Sequence, residues 1–236
     1  MARIVFVTGD KGGVGKSHVA RALLDWLMAS GRNVSAFDTD KTNSTLFRFY
    51  STTNVVQQLD VDQVADLDDL LTRLETHSKS GSDEILLVDC AARTLNSLLR
   101  WMRDIGFEGL KAELGFKMTL AFVIGPELDC VSILKDVIDD FGSMVEYVII
   151  KNLGKGTNFT LYDESNTRRI LREKLEASEI MLPALLEKTN LLLDRKSLAY
   201  ASAIDSEELQ IADRSRIRSY RGRLAETFHE AVDKWT

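Results

Sequence analysis

The chain has 236 residues, of which 44% are apolar and 28% charged, and a net charge of −6. Those values exclude a disordered chain and a membrane-embedded one and allow a full-sized core. The acidic balance argues against a protein coated in positive charge, although a local basic face could still meet nucleic acid.

Residues 3–8 (RIVFVT) form a short apolar, β-rich run, the pattern of a central strand buried on both faces of a parallel sheet. A glycine-rich loop spans residues 8–18. From Ser17 the positions Val19, Leu23, Leu24, Trp26 and Leu27 recur at helical spacing until Gly31, a helix stop. Further strands are expected at 34–37, 85–88, 118–124 and 145–150, with helices at 61–76 and 128–141 between them. Residues 76–83 (THSKSGSD) read as a polar loop. A further connection through 167–175 leads to a short strand at 180–182, closed by Pro183, and helices dominate to the end. This order predicts an α/β fold with a doubly wound, mostly parallel sheet. With no repeat or linker in view, residues 1–236 are expected to form a single domain.

The chemistry concentrates at strand ends. In Gly12-Gly13-Val14-Gly15-Lys16-Ser17 the glycines allow successive backbone N–H groups to face a phosphate, where a Cβ would obstruct the approach. The following helix adds its N-terminal dipole. Lys16 can reach the β- and γ-phosphates, the Ser17 hydroxyl can ligate Mg²⁺, and His18 continues the binding segment into the helix. Asp10 replaces the leading glycine of the general P-loop pattern. Asp38 and Asp40 stand at the carboxyl end of the second strand, where ligands of doubly wound folds gather. Ile85-Leu86-Leu87-Val88-Asp89 is an apolar strand ending in an acid, the form of an element whose carboxylate holds a Mg²⁺-bound water.

Lys11-Gly12-Gly13-Val14-Gly15-Lys16-Ser17 resembles the deviant Walker A loop, K-G-G-x-G-K-[ST], of ParA and MinD ATPases, which tolerate variation before the first lysine. The resemblance implies a P-loop NTPase fold and ATP with Mg²⁺ as ligands. It implies that Lys11 crosses a nucleotide-sandwich homodimer to the partner's phosphates, that Asp40 orients the attacking water and that Asp38 supports Mg²⁺ or its water shell. It also implies that Asn152, after the strand ending at Ile150, bonds the base. No N-K-x-D follows, which favours ATP over GTP. Cys90-Ala91-Ala92-Arg93 lies where the family's switch II lies but lacks the usual Pro or Gly, so Arg93 stays unassigned between switch, partner contact and surface charge. The run FDTDKTNSTLFRFY (37–50) is similar to that of plasmid-encoded TraL and StbB-like ATPases. The implied protein is a dimerising ATPase switch for plasmid partition, conjugal transfer or cargo positioning, with a partner protein that stimulates hydrolysis.

Two other classes share the fold: ATP-dependent metabolic enzymes such as dethiobiotin synthetase, and metallocluster-assembly ATPases with dimer-bridging cysteines. Cys90 and Cys130 have no C-x-x-C spacing, which suits buried positions in a reducing cytosol. Arg214, Arg218 and Arg221 share one face of a helix whose opposite stripe is Ile217, Tyr220, Leu224 and Phe228. That face reads equally as a contact for DNA phosphates or as a solvated one. Glu226, Glu230 and Asp233 would oppose anionic lipid, no leader is visible and no apolar run approaches about 18 residues, so a cytoplasmic protein without a membrane anchor is expected.

Overall fold

The computed structural model describes residues 2–9, 12–51, 53–92 and 94–236. Lys11, Asp10 and Arg93 lie outside the described residues. β1 (Arg3–Thr8) runs through the loop into α1 (Lys16–Ala29), followed by β2 (Val34–Asp38), α2 (Thr45–Tyr50) and β3 (Val56–Gln58). Next come α3 (Val64–Ser80), β4 (Ile85–Asp89), α4 (Thr94–Asp104), α5 (Phe107–Leu114), β5 (Lys117–Ile124), α6 (Leu128–Phe141) and β6 (Glu146–Asn152). The chain finishes with α7 (Thr160–Asp163), α8 (Asn166–Lys174), β7 (Ser178–Leu182), α9 (Glu187–Lys196), α10 (Tyr200–Ala203), α11 (Ile211–His229) and α12 (Val232–Trp235).

The seven strands form one sheet in the order β3-β2-β4-β1-β5-β6-β7, and every pairing is parallel. The expected fold class is therefore the observed one. β1, β4 and β6 are buried along almost their whole length, as strands covered on both faces must be. With β1 central, the chain first winds toward β3 and then, from β5, toward β7. The carboxyl ends of β1, β2 and β4 open together at this reversal, the position where such sheets hold ligands.

Two elements escaped the periodicity reading. β3 contributes only Val56 to the core, with Gln57 and Gln58 exposed at the sheet edge, so it carries no strand pattern. Residues 76–80, expected as loop, continue α3 to Gly81, whose φ of +69° ends the helix. His77 on that last turn pairs with the buried Glu84 carboxylate, which is why a polar stretch stays helical.

The C-terminal segment is part of the core. Ile217, Tyr220, Leu224 and Phe228 of α11 are buried, and α11 packs on α1 and β7. Trp235 is fully buried against Phe228 and donates its indole N–H to the Phe228 carbonyl at 2.9 Å. Arg3 of β1, 1% exposed, donates to Thr119 Oγ1 (2.6 Å), Glu146 Oε2 (2.5 Å) and the carbonyls of Asp233 (2.8 Å) and Lys234 (3.1 Å). The apolar stripe is thus committed internally. Among the described residues no helix is long and apolar enough to cross a membrane.

Candidate functional site

The phosphate loop is built from β1 outward. After Thr8, a Cβ on Gly9 would lie 2.6 Å from the Val123 carbonyl oxygen, so only glycine lets the chain pass β5 there. Gly13 and Gly15 have φ of +80° and +105°, a region that side chains disfavour. Val14 between them is buried and anchors the loop. Its carbonyl accepts a hydrogen bond from Asn152 Nδ2 at 2.8 Å, while Asn152 Oδ1 accepts one from the Gly154 N–H at 3.0 Å. The Nδ2 end of the Asn152 amide thus joins the loop to β6, and the Oδ1 end shapes the turn that follows β6. Lys16, Ser17 and His18 form the first turn of α1, so the helix dipole meets whatever the loop holds.

Three carboxylates stand beside this loop, and their hydrogen bonding separates them. Asp38 and Asp89 are register partners on β2 and β4, and both are buried. Asp38 is satisfied: Oδ1 accepts from the Asp40 N–H (2.9 Å) and Oδ2 from the Phe47 N–H (3.0 Å), although burial still pushes its pKa up. Asp40 shapes the turn ahead of α2, its Oδ1 accepting from the N–H groups of Thr42 and Asn43 and its Oδ2 from the Asn43 amide. Partial burial alone would raise its pKa. The bonds from Asn43 and Thr42 and the charge of Lys16 outweigh that and hold it below the usual carboxylate range.

Asp89 differs, since among the described residues no backbone N–H reaches its carboxylate and only the Ser17 hydroxyl stands beside it. Burial raises its pKa to about 7, opposed only in part by the nearby Ser17 hydroxyl and the Lys16 and Arg21 charges and reinforced by Asp38. A buried carboxylate with only a serine hydroxyl beside it fits a hard divalent cation or its bound water. No group of three or more His, Cys, Asp or Glu among the described residues could hold a metal. Such a cation would thus complete its shell with phosphate oxygens and water, which is the habit of Mg²⁺.

Sequence reasoning passed over Thr39, between the two aspartates of β2 and its loop. Its hydroxyl donates to the Asp89 carbonyl (3.1 Å), accepts from the Ala91 N–H (2.7 Å) and lies 3.3 Å from Thr94 Oγ1. This joins the Asp38–Asp40 segment to the one that follows Asp89.

A cavity of about 670 Å³ extends from Gly13, Gly15 and Asn152 to the loop Pro183–Leu185 and the α9 face bearing Asn190 and Asp194. His18 lines it with its Nε2 2.8 Å from the Tyr220 phenol oxygen, and burial, with the Arg21 and Lys155 charges, lowers its pKa to about 3. The imidazole is accordingly neutral. Arg21, also on the wall, pairs with Asp194 at 3.1 Å and lies 3.8 Å over the Phe49 ring. The Arg21–Asp194 and His18–Tyr220 contacts join positions 173 and 202 apart in the chain, separations that leave no local signal.

The arginine face of α11 requires a correction. Arg221 is half-buried, and its Nε donates to Asp25 Oδ2 of α1 at 2.7 Å, so it is not available to DNA phosphates. Asp25 is 6% exposed, and a guanidinium facing it balances a charge taken out of water. Arg214 is half-buried and Arg218 exposed. Cys90 and Cys130 are both buried, as expected, and form no disulfide with each other.

Residues 5–198 match the family described as the CobQ/CobB/MinD/ParA nucleotide binding domain. Among characterised relatives, the chain is 24% identical to protein MobD of Acidithiobacillus ferrooxidans, with 94% of each chain covered. It is 27% identical to protein TraL of Escherichia coli, with 98% of this chain and 99% of TraL covered. Among solved structures, the septum site-determining protein MinD of Pyrococcus horikoshii, complexed with Mg-ADP, superposes with a TM-score of 0.55. The identity is 18%, over 96% of this chain and 95% of that one.

Proposed function

The chain belongs to the CobQ/CobB/MinD/ParA nucleotide-binding family, and from that premise we propose that it is a Mg²⁺-dependent ATPase switch of the TraL-like group, pairing two copies of itself across ATP in plasmid transfer or partition. The carrying observation is Asp89, buried beside the Ser17 hydroxyl and the Lys16 charge, with no other hydrogen-bond donor at its carboxylate among the described residues. The likeness to MobD and TraL along nearly the whole chain supports the plasmid setting.

In this reading the N–H groups of residues 12–18 and the Lys16 ammonium hold the β- and γ-phosphates. Ser17 ligates Mg²⁺ directly, and Asp89 and Asp38 act through its water shell. The cation, when bound, neutralises charge on the phosphate oxygens. Asp40, kept ionised by its bonds to the 42–43 turn, accepts a proton of the attacking water and aligns it, and the products are ADP and phosphate. Lys11 reaches the partner's phosphates, which makes the dimer ATP-dependent. Asn152 fixes the loop through Val14 and borders the base site. Contact with DNA phosphates falls to Arg218 and Arg214, and a partner protein accelerates hydrolysis.

The test is calorimetric titration with ATP and Mg²⁺. Lys16→Ala is expected to lose about thirtyfold or more in affinity, since one charge-assisted phosphate contact is worth roughly 2–3 kcal/mol in a water-poor site. Binding equal to that of the parent would overturn the phosphate-loop assignment. The dimer is tested separately: Asp40→Ala with ATP is expected to elute as a dimer in size-exclusion chromatography with light scattering, and a persistent monomer would overturn the sandwich.

A further inference from the structure

The β2–β4 ladder ends at the pair Asp38–Asp89, and beyond it the two chains part. One continues through Asp40 into the turn before α2. The other continues through Cys90, whose N–H goes to the Val7 carbonyl of β1, and on to the start of α4 at Thr94. One side chain spans the gap between them. Thr39, 7% exposed, donates its hydroxyl proton to the Asp89 carbonyl at 3.1 Å and accepts from the Ala91 N–H at 2.7 Å. Thr94 Oγ1 lies 3.3 Å away. A hydroxyl has one proton and two lone pairs, so with the proton on the Asp89 carbonyl, Thr94 is the donor in that third contact and the Thr39 oxygen is filled. The Thr39 N–H goes to the same Asp89 carbonyl, at 3.1 Å. The hydroxyl therefore carries the ladder past its last backbone pair, to a point where the two segments have no other reason to stay in register.

We infer that Thr39 is a positioning residue for phosphoryl transfer: its hydroxyl holds the Asp40 segment against the segment after Asp89, so that the group aligning the attacking water keeps a fixed place relative to the group at the Mg²⁺ water shell. The inference rests on the ATPase reading above. Thr39 is the chain neighbour of both Asp38 and Asp40, and Ala91 follows Asp89 by two positions. A slip between the two segments would thus shift the carboxylates against each other. Phosphoryl transfer asks the protein for placement more than for covalent work, and a displacement of about 1 Å can cost about a hundredfold in rate. Shape alone does not call for threonine here. Valine would fill the same space but leave the Ala91 N–H and the Thr94 hydroxyl without this acceptor. Because all three partners of the hydroxyl belong to the chain itself, its removal should spare nucleotide binding and reach the rate.

Thr39→Val and Thr39→Ser, compared with the parent in three measurements, test this. In the nucleotide-free chain, hydrogen exchange of the amides at 90–94 is expected to quicken about tenfold or more in Thr39→Val and to stay at the parent's rate in Thr39→Ser. Titration with a non-hydrolysable ATP analogue at saturating Mg²⁺ should give affinities within about threefold of the parent for both, which also shows that they are folded. Single-turnover hydrolysis of saturating Mg-ATP should fall about tenfold to a hundredfold in Thr39→Val and less than about threefold in Thr39→Ser. Thr39→Ala, which has no branched methyl to accommodate, is expected to follow Thr39→Val. A Thr39→Val protein that turns over at the parent's rate overturns the inference, as does a Thr39→Ser protein that loses as much as Thr39→Val. So does a loss of analogue affinity as large as the loss of rate, the sign of a merely structural role. A parent that binds Mg-ATP without hydrolysing it would instead overturn the ATPase reading, and the inference with it.

Discussion

Replacing Asp89 with asparagine is expected to stabilise the nucleotide-free protein above neutral pH while abolishing its response to magnesium. The carboxyl is 2% exposed, with only the Ser17 hydroxyl beside it among the described residues, and burial lifts its pKa from 3.8 to about 7. At 1.36 kcal/mol per pH unit that gap corresponds to about 4 kcal/mol. Its sign follows from the protons bound: between the two values the folded chain keeps a proton that the unfolded chain has released, so stability falls as pH rises through that window. The cost is absent below pH 3.8 and complete above about pH 7. Asparagine has the size of the neutral acid and never ionises, but an extra buried N–H without a full partner costs roughly 1–3 kcal/mol. The variant should therefore gain a net of about 1–3 kcal/mol at about pH 8 and nothing at strongly acidic pH. Urea unfolding of parent and Asp89→Asn across that range measures the difference directly. Addition of Mg²⁺ with a non-hydrolysable ATP analogue should recover the parent's stability and leave the variant's unchanged. Two unfolding free energies that run parallel with pH would show that Asp89 is not carrying a buried charge, and the argument for its role would fail.

Gly15→Ala is expected to cost about 1–2 kcal/mol from the left-handed backbone alone, and its Cβ would collide with the Asn152 amide that holds Val14. Nucleotide affinity should fall at least about tenfold with the protein still folded, as circular dichroism and titration together would show. Arg221→Ala leaves Asp25 buried and unpaired, a loss of about 3–5 kcal/mol in chemical denaturation, much of which should return when Asp25→Asn is added. Arg218→Ala, exposed on the same helix, should stay within about 0.5 kcal/mol of the parent. Equal effects at 218 and 221 would contradict the division of that face into one internal and one external arginine.

The parts of this molecule that were legible in its sequence are those written in contiguous residues. The run from Arg3 to Ser17 contains a buried strand, a loop of glycines and the start of a helix, and each has a local physical requirement that only certain residue types meet. The strand ending at Asp89 is legible for the same reason: four apolar residues followed by one acid have few other readings. β3 was not, because an edge strand with one buried side chain has no alternation to detect. The helical spacing of Arg214, Arg218 and Arg221 identified a common face but not its neighbours, and Asp25 lies almost two hundred positions earlier. Asp194 was invisible likewise, since its α9 carboxylate gains a partner only where the fold brings it against Arg21 of α1.

The clasp between Arg3 and the α12 carbonyls also constrains how the molecule can be made. The guanidinium of the first strand finds four acceptors, and two of them belong to Asp233 and Lys234. During synthesis some 230 residues must leave the ribosome before that charge, destined for the centre of the sheet, is fully solvated by protein. At roughly 5–20 residues per second this is a delay of about ten seconds or more. The β1 strand thus emerges first, yet the charge at its amino end is the last of its groups to be satisfied, when the carbonyls of Asp233 and Lys234 arrive.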